Sequence, residues 1–78
     1  MADLKETLSG IAKAIVDNPD EVSVVENADD TSVELVLSVA PDDMGMVIGR
    51  GGKIAKAIRT VMKAAASTRN KKVNVEIK

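Results

Sequence analysis

The chain has 78 residues, of which 45% are hydrophobic, and it contains no Cys, His, Phe, Trp or Tyr. This composition predicts a single small domain over residues 1–78 with an aliphatic core. It excludes disulfides, thiolate metal sites and catalysis by Cys or His, so we expect neither an enzyme nor a bound metal or cofactor. No apolar run reaches the roughly 18–20 residues that cross a bilayer, and Met1-Ala2-Asp3 does not begin a signal peptide. We therefore expect a cytoplasmic protein with no membrane partner and no small-molecule substrate.

The net charge of −1 conceals two halves of opposite sign. Residues 1–44 carry eleven Asp or Glu against two Lys, a balance of −9, and residues 45–78 carry nine Lys or Arg against one Glu, a balance of +8. A segregated positive surface is typical of proteins that bind nucleic acid. A plainer alternative is that the charges are separated for solubility alone.

A helix and a hairpin open the chain. Apolar residues at helical spacing predict an amphipathic helix over residues 4–17, with Asp3 placed to cap its start. The run 22–25 predicts a first strand, residues 27–30 a turn, and the alternating run 33–39 a second strand. Because the connection between the strands is short, they should pair antiparallel.

Two helices separated by a glycine turn follow, and a third strand ends the chain. Pro41-Asp42-Asp43 predicts the start of a short helix that ends at Gly49. A longer helix is predicted over residues 52–67, then a loop, and then a strand over residues 73–77. A helical projection predicts that the core face of the longer helix carries Ile54, Ile58, Val61, Met62 and Ala65, with Lys56, Arg59 and Lys63 on the opposite face.

The resulting order, α-β-β-α-α-β, predicts an α+β fold. Two helices connect the second and third strands, so these strands can lie parallel, and the sheet should be three-stranded and mixed. The helices should cover one face of this sheet. The other face should meet solvent or a partner, and it is expected to carry Ser23, Glu34, Ser38, Asn74 and Glu76.

The segment VIGRGGKIA, residues 47–55, is the most informative of the chain. Gly49 can adopt a left-handed backbone that ends the short helix, and Gly51 and Gly52 let the main chain approach a sugar–phosphate strand closely. Arg50 and Lys53 add positive charge where a helix begins and its N–H groups lack partners. A plainer alternative is a tight corner between helices, in which the glycines only permit the reversal.

No catalytic motif accompanies this turn. A Walker phosphate-binding loop requires Gly at position 47 and Ser or Thr after Lys53, where this chain has Val47 and Ile54. The carboxylate pairs Asp29-Asp30 and Asp42-Asp43 are expected to cap a turn and a helix locally rather than to bind a metal.

Residues 47–53 resemble the V-I-G-x-x-G core of the KH domain, and the element order resembles its prokaryotic, type II form. The resemblance spans essentially the whole chain, which is similar in size to the small stand-alone bacterial KH proteins. It implies an RNA-binding protein whose glycine loop clamps the backbone of single-stranded RNA. It also implies a homodimer, or a heterodimer with another KH-containing protein, in post-transcriptional regulation or as an RNA chaperone. The alternative is a protein-interaction scaffold or ribosome-associated assembly factor in which RNA contact is secondary.

The resemblance also implies where RNA would bind. In the family, bases lie in an apolar groove between the helix pair and the edge of the sheet, which here corresponds to Gly45, Ile48, Ala55 and the last strand around residues 73–75. Ile48 and the valines of this strand are nevertheless expected mainly in the core, and Ala55 stands where the family often has a larger aliphatic residue. The loop at 68–72 either holds a second stretch of backbone or is a solvated turn. Lys56, Arg59 and Lys63 either form a solvated face or contact RNA. Without aromatic residues, bases cannot stack on aromatic platforms, so affinity should be modest. The candidate RNA-binding residues are Gly45, Ile48, Gly49, Arg50, Gly51, Gly52, Lys53, Ala55, Lys56, Arg69, Lys71 and Lys72.

Overall fold

The computed structural model describes residues 3–78, so Met1 and Ala2, on which the signal-peptide expectation partly rests, lie outside the described residues. Between residues 3 and 78, no helix is both long and apolar enough to cross a membrane. Single turns of 3-10 helix occur at Pro19–Glu21, Pro41–Asp43 and Arg50–Gly52. The main elements confirm the predicted order: α1 (Leu4–Ile15), β1 (Ser23–Ala28), β2 (Ser32–Ser38), α2 (Met44–Ile48), α3 (Lys53–Ser67) and β3 (Lys72–Ile77).

Helix α1 begins as its sequence predicts and ends two residues earlier. The Asp3 side chain accepts a hydrogen bond from the Glu6 N–H at 2.7 Å, which satisfies one of the unpaired N–H groups of the first turn. At the other end, Val16 is already extended, with φ −87° and ψ 161°. Pro19 is incompatible with a continuing helix, and the Val16 side chain is buried instead.

The sheet is three-stranded and mixed, in the order β1-β2-β3, as predicted. Strand β1 pairs antiparallel with β2, and β2 pairs parallel with β3. The prediction of a turn at residues 27–30 is wrong in its first half, because Ala28 still pairs with Val33. The turn begins at Asp29, whose carboxylate accepts hydrogen bonds from the N–H groups of Thr31 and Ser32 at 2.9 and 2.7 Å. Both bonds lower the pKa of Asp29, and the bond from the Thr31 N–H has the largest effect.

Helices α1 and α3 cover one face of the sheet and enclose an aliphatic core. Each fully buried Val, Leu or Ile contributes about 1.5–3 kcal/mol through apolar burial. The uncovered face carries the polar residues predicted for it, and of these only Ser38 is half-buried rather than exposed. The buried cluster consists of Leu4, Leu8, Ala12, Val24, Val33, Leu35, Leu37, Ile58, Met62, Ala66 and Val75.

Helix α3 is turned about its axis relative to the predicted core face. Ala55 and Ala66 are buried, whereas Ile54 and Val61 are 39% and 50% exposed. The prediction that Ile54 and Val61 face the core is therefore wrong. Small alanine side chains let a helix lie close to its neighbours, which places the larger Ile54 and Val61 outside the contact. A second apolar surface therefore remains on α3, which we call the α3 apolar stripe: Ile54, Ala57, Val61 and Ala64.

Candidate nucleic-acid interface

The backbone between α2 and α3 has positive φ at three glycines. Gly49 has φ 75° and ψ 173°, Gly51 has φ 65° and ψ 18°, and Gly52 has φ 79° and ψ 13°. Gly49 ends α2 as predicted, and its N–H donates to the Gly45 carbonyl at 2.9 Å. Its ψ is extended rather than left-handed helical, a combination that is essentially restricted to glycine.

The glycines are required for different reasons. A Cβ on Gly49 would lie 2.9 Å from both the Cβ and the backbone N of Ile54, and it would also meet the Ile54 Cγ1. Gly49 therefore closes the turn against the first turn of α3. A Cβ on Gly51 or Gly52 would have no atom within 4 Å, so both residues leave open space beside the main chain. A ligand backbone can approach the turn on that side.

This turn also leads into the positive end of α3. Gly52 is the N-cap and provides no side-chain hydrogen bond, and the first turn contains no acidic residue. The N–H groups of Gly52 and Lys53 donate to the carbonyls of Gly49 and Arg50, so an anion is attracted here by the positive end of the dipole of the 15-residue helix. The side chains of Arg50 and Lys53 are exposed beside this helix end. Neither side chain has an ion-pair partner among residues 3–78.

A basic groove lies between α3 and the outer edge of β3, which we call the α3–β3 groove. It has a volume of about 320 Å³, and a second concavity shares Lys63 and Val73 with it and continues to Asn70, Lys71 and Lys72. Lys56 and Lys63 are roughly 10 Å apart along the helix axis. The groove is lined by Lys56, Arg59, Thr60, Lys63, Val73, Asn74 and Val75.

Arg59 is exposed, as its sequence position predicts, and it also contacts the edge of β3. Its Nε donates to the carbonyl oxygen of Val75, at 3.2 Å, and so fixes the guanidinium at the edge of β3. Arg59, Thr60 and Lys63 line the groove but are absent from the predicted site, whereas the stretch of β3 from Val73 to Val75 lines it as the resemblance implies. The spacing of Lys56, Arg59 and Lys63 places them on one face of α3, and this pattern could have indicated the groove in the sequence. Because the edge of β3 lies beside that face, these side chains form one wall of the groove.

The remaining predicted residues divide between surface and core. Gly45 is exposed with open space around it, and Ile48 is 38% exposed, so the prediction that Ile48 lies mainly in the core is wrong. Its neighbour Val47 fills the core instead. Ala55 is 5% exposed, which removes its side chain from the accessible surface. Arg69 lies in the turn after α3 and is exposed, outside the two concavities.

The expectation of local capping is confirmed for Asp29 and wrong for Asp43. The Asp43 carboxylate makes no side-chain bond to the N–H groups of α2. It accepts from the N–H and the side-chain amide of Asn18 instead, at 3.0 and 3.1 Å. The main chain at Asp43 is helical rather than extended, which does not favour the usual cap geometry. Among residues 3–78, no group of three or more acidic side chains is arranged to bind a metal ion.

Comparison with known proteins agrees with this geometry. The family described as "KhpA/KhpB, KH domain" matches residues 5–77 of the chain. The chain is 60% identical to the RNA-binding protein KhpA of Clostridium acetobutylicum and 57% identical to that of Clostridium perfringens, in each case over 95% of this chain and 99% of the relative. It is 47% identical to the RNA-binding protein KhpA of Halalkalibacterium halodurans, over 95% of this chain and 97% of the relative. The chain therefore belongs to the KhpA/KhpB family of KH domains.

Proposed function

We propose that this protein binds single-stranded RNA, with the sugar–phosphate backbone at residues 49–52 and the bases in the α3–β3 groove. The observation that carries this proposal is the open space beside Gly51 and Gly52, at the uncapped positive end of α3. A phosphate there meets the positive end of the α3 dipole and the charges of Arg50 and Lys53 together. Three relatives that span nearly the whole chain are named as RNA-binding proteins, which supports the same function.

The surrounding residues suit backbone contact better than sequence reading. Lys56, Lys71 and Lys72 offer charge along the groove and its continuation, and Arg69 adds charge in the turn beside it. Gly45 and Ile48 offer a small and an aliphatic surface on α2, whereas Ala55 is buried in the first turn of α3. Because the chain has no aromatic residue, base stacking on aromatic rings is absent and discrimination between bases should be low. A binding role in the cytoplasm, without catalysis, follows from this proposal.

The α3 apolar stripe supports the further proposal that two KH domains pair. Ile54 and Val61 are among the most exposed large apolar side chains of the described chain, and they lie on the side of α3 away from the groove. A contact through the stripe leaves the groove open. The partner is a second copy or another KH-containing protein. Pairing would compensate for weak binding by one domain through avidity, in post-transcriptional regulation or RNA chaperoning. In the alternative scaffold or ribosome-assembly function, the same stripe binds a protein and RNA contact is secondary.

The RNA-binding proposal predicts a weak, salt-dependent interaction. If each domain neutralises two or three phosphates, a plot of log affinity against log salt should have a slope of about −1.4 to −2.1. Fluorescence anisotropy of a short labelled single-stranded RNA, titrated at several salt concentrations, measures this slope. An unlabelled RNA duplex serves as the control competitor. It should displace the labelled RNA poorly, because the groove should accept separated strands. Absence of binding at low salt, or a slope near zero, would contradict the proposal.

The pairing proposal predicts a monomeric variant with an intact groove. Val61→Asp places a charge in the α3 apolar stripe, where burial against a partner would be strongly unfavourable. We expect this variant to sediment as a monomer and to bind an RNA that has one binding segment with wild-type affinity. An RNA with two binding segments should no longer bind more tightly than an RNA with one. Ala14→Asp, on the exposed surface of α1, is the matched control for added charge. Unchanged sedimentation of Val61→Asp relative to wild type would exclude the stripe as the contact.

A further inference from the structure

We infer that Asp43 is a positioning residue, which fixes α2 and thereby the glycine turn that follows it; this inference rests on the proposed RNA-binding function. Asp43 is 1% exposed and is the one buried charged side chain among residues 3–78. Its burial prevents it from contacting RNA. Apart from the long-range effect of its charge, any effect of Asp43 on RNA binding must therefore pass through the residues that it holds.

The Asp43 carboxylate joins two distant connections of the chain. Its Oδ2 accepts hydrogen bonds from the backbone N–H and from the Nδ2 of Asn18, at 3.0 and 3.1 Å. Asn18 lies between α1 and β1, whereas Asp43 lies between β2 and α2. The two bonds thus tie the start of α2 to the end of α1, across 25 residues of sequence.

Helix α2 depends on such a tie because it has only five residues. A helix this short is not stable by itself in water. Val47 is its one buried side chain, and one anchored side chain leaves the helix free to tilt about it. Asp43 supplies a second point of attachment, at the other end of the helix from Gly49.

The glycine turn follows α2 without an intervening residue. The Gly49 N–H closes the last turn of α2 on the Gly45 carbonyl, and the Gly52 N–H donates to the Gly49 carbonyl at 3.1 Å. A shift at the start of α2 is therefore transmitted to the main chain of residues 49–52. A buried carboxylate is unfavourable unless its hydrogen bonds are made. A residue that only filled this space would be apolar, so the carboxylate indicates a geometric role.

The first test uses the free protein and needs no RNA. Asp43→Ala removes both bonds, and Asn18→Ala removes the side-chain bond alone. Amide hydrogen exchange measured by NMR should accelerate at Gly49 and Gly52 in both variants, with Leu35 in the central strand still protected. Equal acceleration at Leu35 would indicate a general loss of stability and would overturn the inference. If Asp43→Ala does not fold, Asn18→Ala decides the test by the same criterion.

The second test separates positioning from simple electrostatics. Removing a negative charge should strengthen the binding of RNA, but a misplaced turn should weaken it. We expect Asp43→Ala to weaken binding about tenfold and Asn18→Ala about threefold, as when hydrogen bonds that hold a site are lost. Asp3→Ala is the matched control: it removes the same charge and a cap bond at the far end of α1, and its RNA affinity should stay within about twofold of wild type.

The outcomes distinguish this inference from the proposed function. Wild-type or tighter RNA binding by Asp43→Ala, or a loss of the same size in Asp3→Ala, would overturn the positioning role. If wild-type protein binds no RNA, the proposed function fails, and the exchange measurement still decides whether Asp43 holds the turn.

Discussion

Substituting Asp at both Arg50 and Gly51 (R50D/G51D) is expected to abolish RNA binding while the domain stays folded. Gly51 has φ 65° and ψ 18°, a conformation that Asp tolerates better than most residues, and there is open space for its side chain. The turn then changes from one positive charge at these two positions to two negative charges, beside the phosphates that it should hold. We expect affinity to fall about 100-fold or more, since a contact is lost and repulsion replaces it.

The control for this variant is R50N/G51N. Asn is similar in size to Asp and equally tolerated in the left-handed region, so the backbone effect is matched and the negative charges are absent. We expect circular dichroism spectra of both variants to resemble the wild type, and the Asn variant to bind RNA with an affinity between the other two. Anisotropy titrations at one salt concentration compare them. Wild-type affinity in folded R50D/G51D would exclude the glycine turn as the backbone clamp.

Gly49→Ala is expected to cause a large loss of stability. Gly49 has φ 75° with an extended ψ, and a backbone of this kind costs a non-glycine residue about 1–3 kcal/mol. The added Cβ would also lie 2.9 Å from the backbone N of Ile54, which cannot rotate away as a side chain does. We therefore expect the free energy of unfolding to fall by about 3 kcal/mol or more, a large fraction of the stability of a small domain.

Gly51→Ala provides the comparison, because its φ is also positive but its Cβ meets nothing. A left-handed conformation alone costs an alanine about 1–2 kcal/mol. Urea denaturation of both variants therefore measures how much of the Gly49 requirement comes from the contact with Ile54. Ile54→Ala in the Gly49→Ala background should restore stability only in part, since the Ile54 Cβ and backbone N remain. Equal losses in Gly49→Ala and Gly51→Ala would contradict the contact.

The order of elements and the sheet topology could be predicted because they depend on local patterns. Helical spacing defines α1, alternation defines β2 and β3, and connection length sets the direction of each strand pair. Family resemblance then identified the glycine turn as part of a KH domain. What could be read from the sequence was therefore either periodic or contained in one short segment.

The features that could not be predicted depend on contacts between distant residues. The rotation of α3 decides whether Ala55 or Ile54 faces the sheet. The apolar pattern of the sequence is compatible with either rotation, so it could not decide between them. The bond from Arg59 to Val75 requires knowledge of which helix face lies beside β3. The buried carboxylate of Asp43 looked like a local cap, and only the fold brings Asn18 to it.

The three-sided use of α3 has a practical consequence for labelling the protein. One side of this helix faces the core, one lines the α3–β3 groove and one carries the α3 apolar stripe, so a dye attached there would disturb the packing, the proposed RNA contact or the proposed pairing contact. The outer surface of α1, which includes Lys13, belongs to none of these surfaces. Because the chain has no native Cys, Lys13→Cys would create a unique thiol. A fluorophore at that position would report on binding and pairing without occupying either surface.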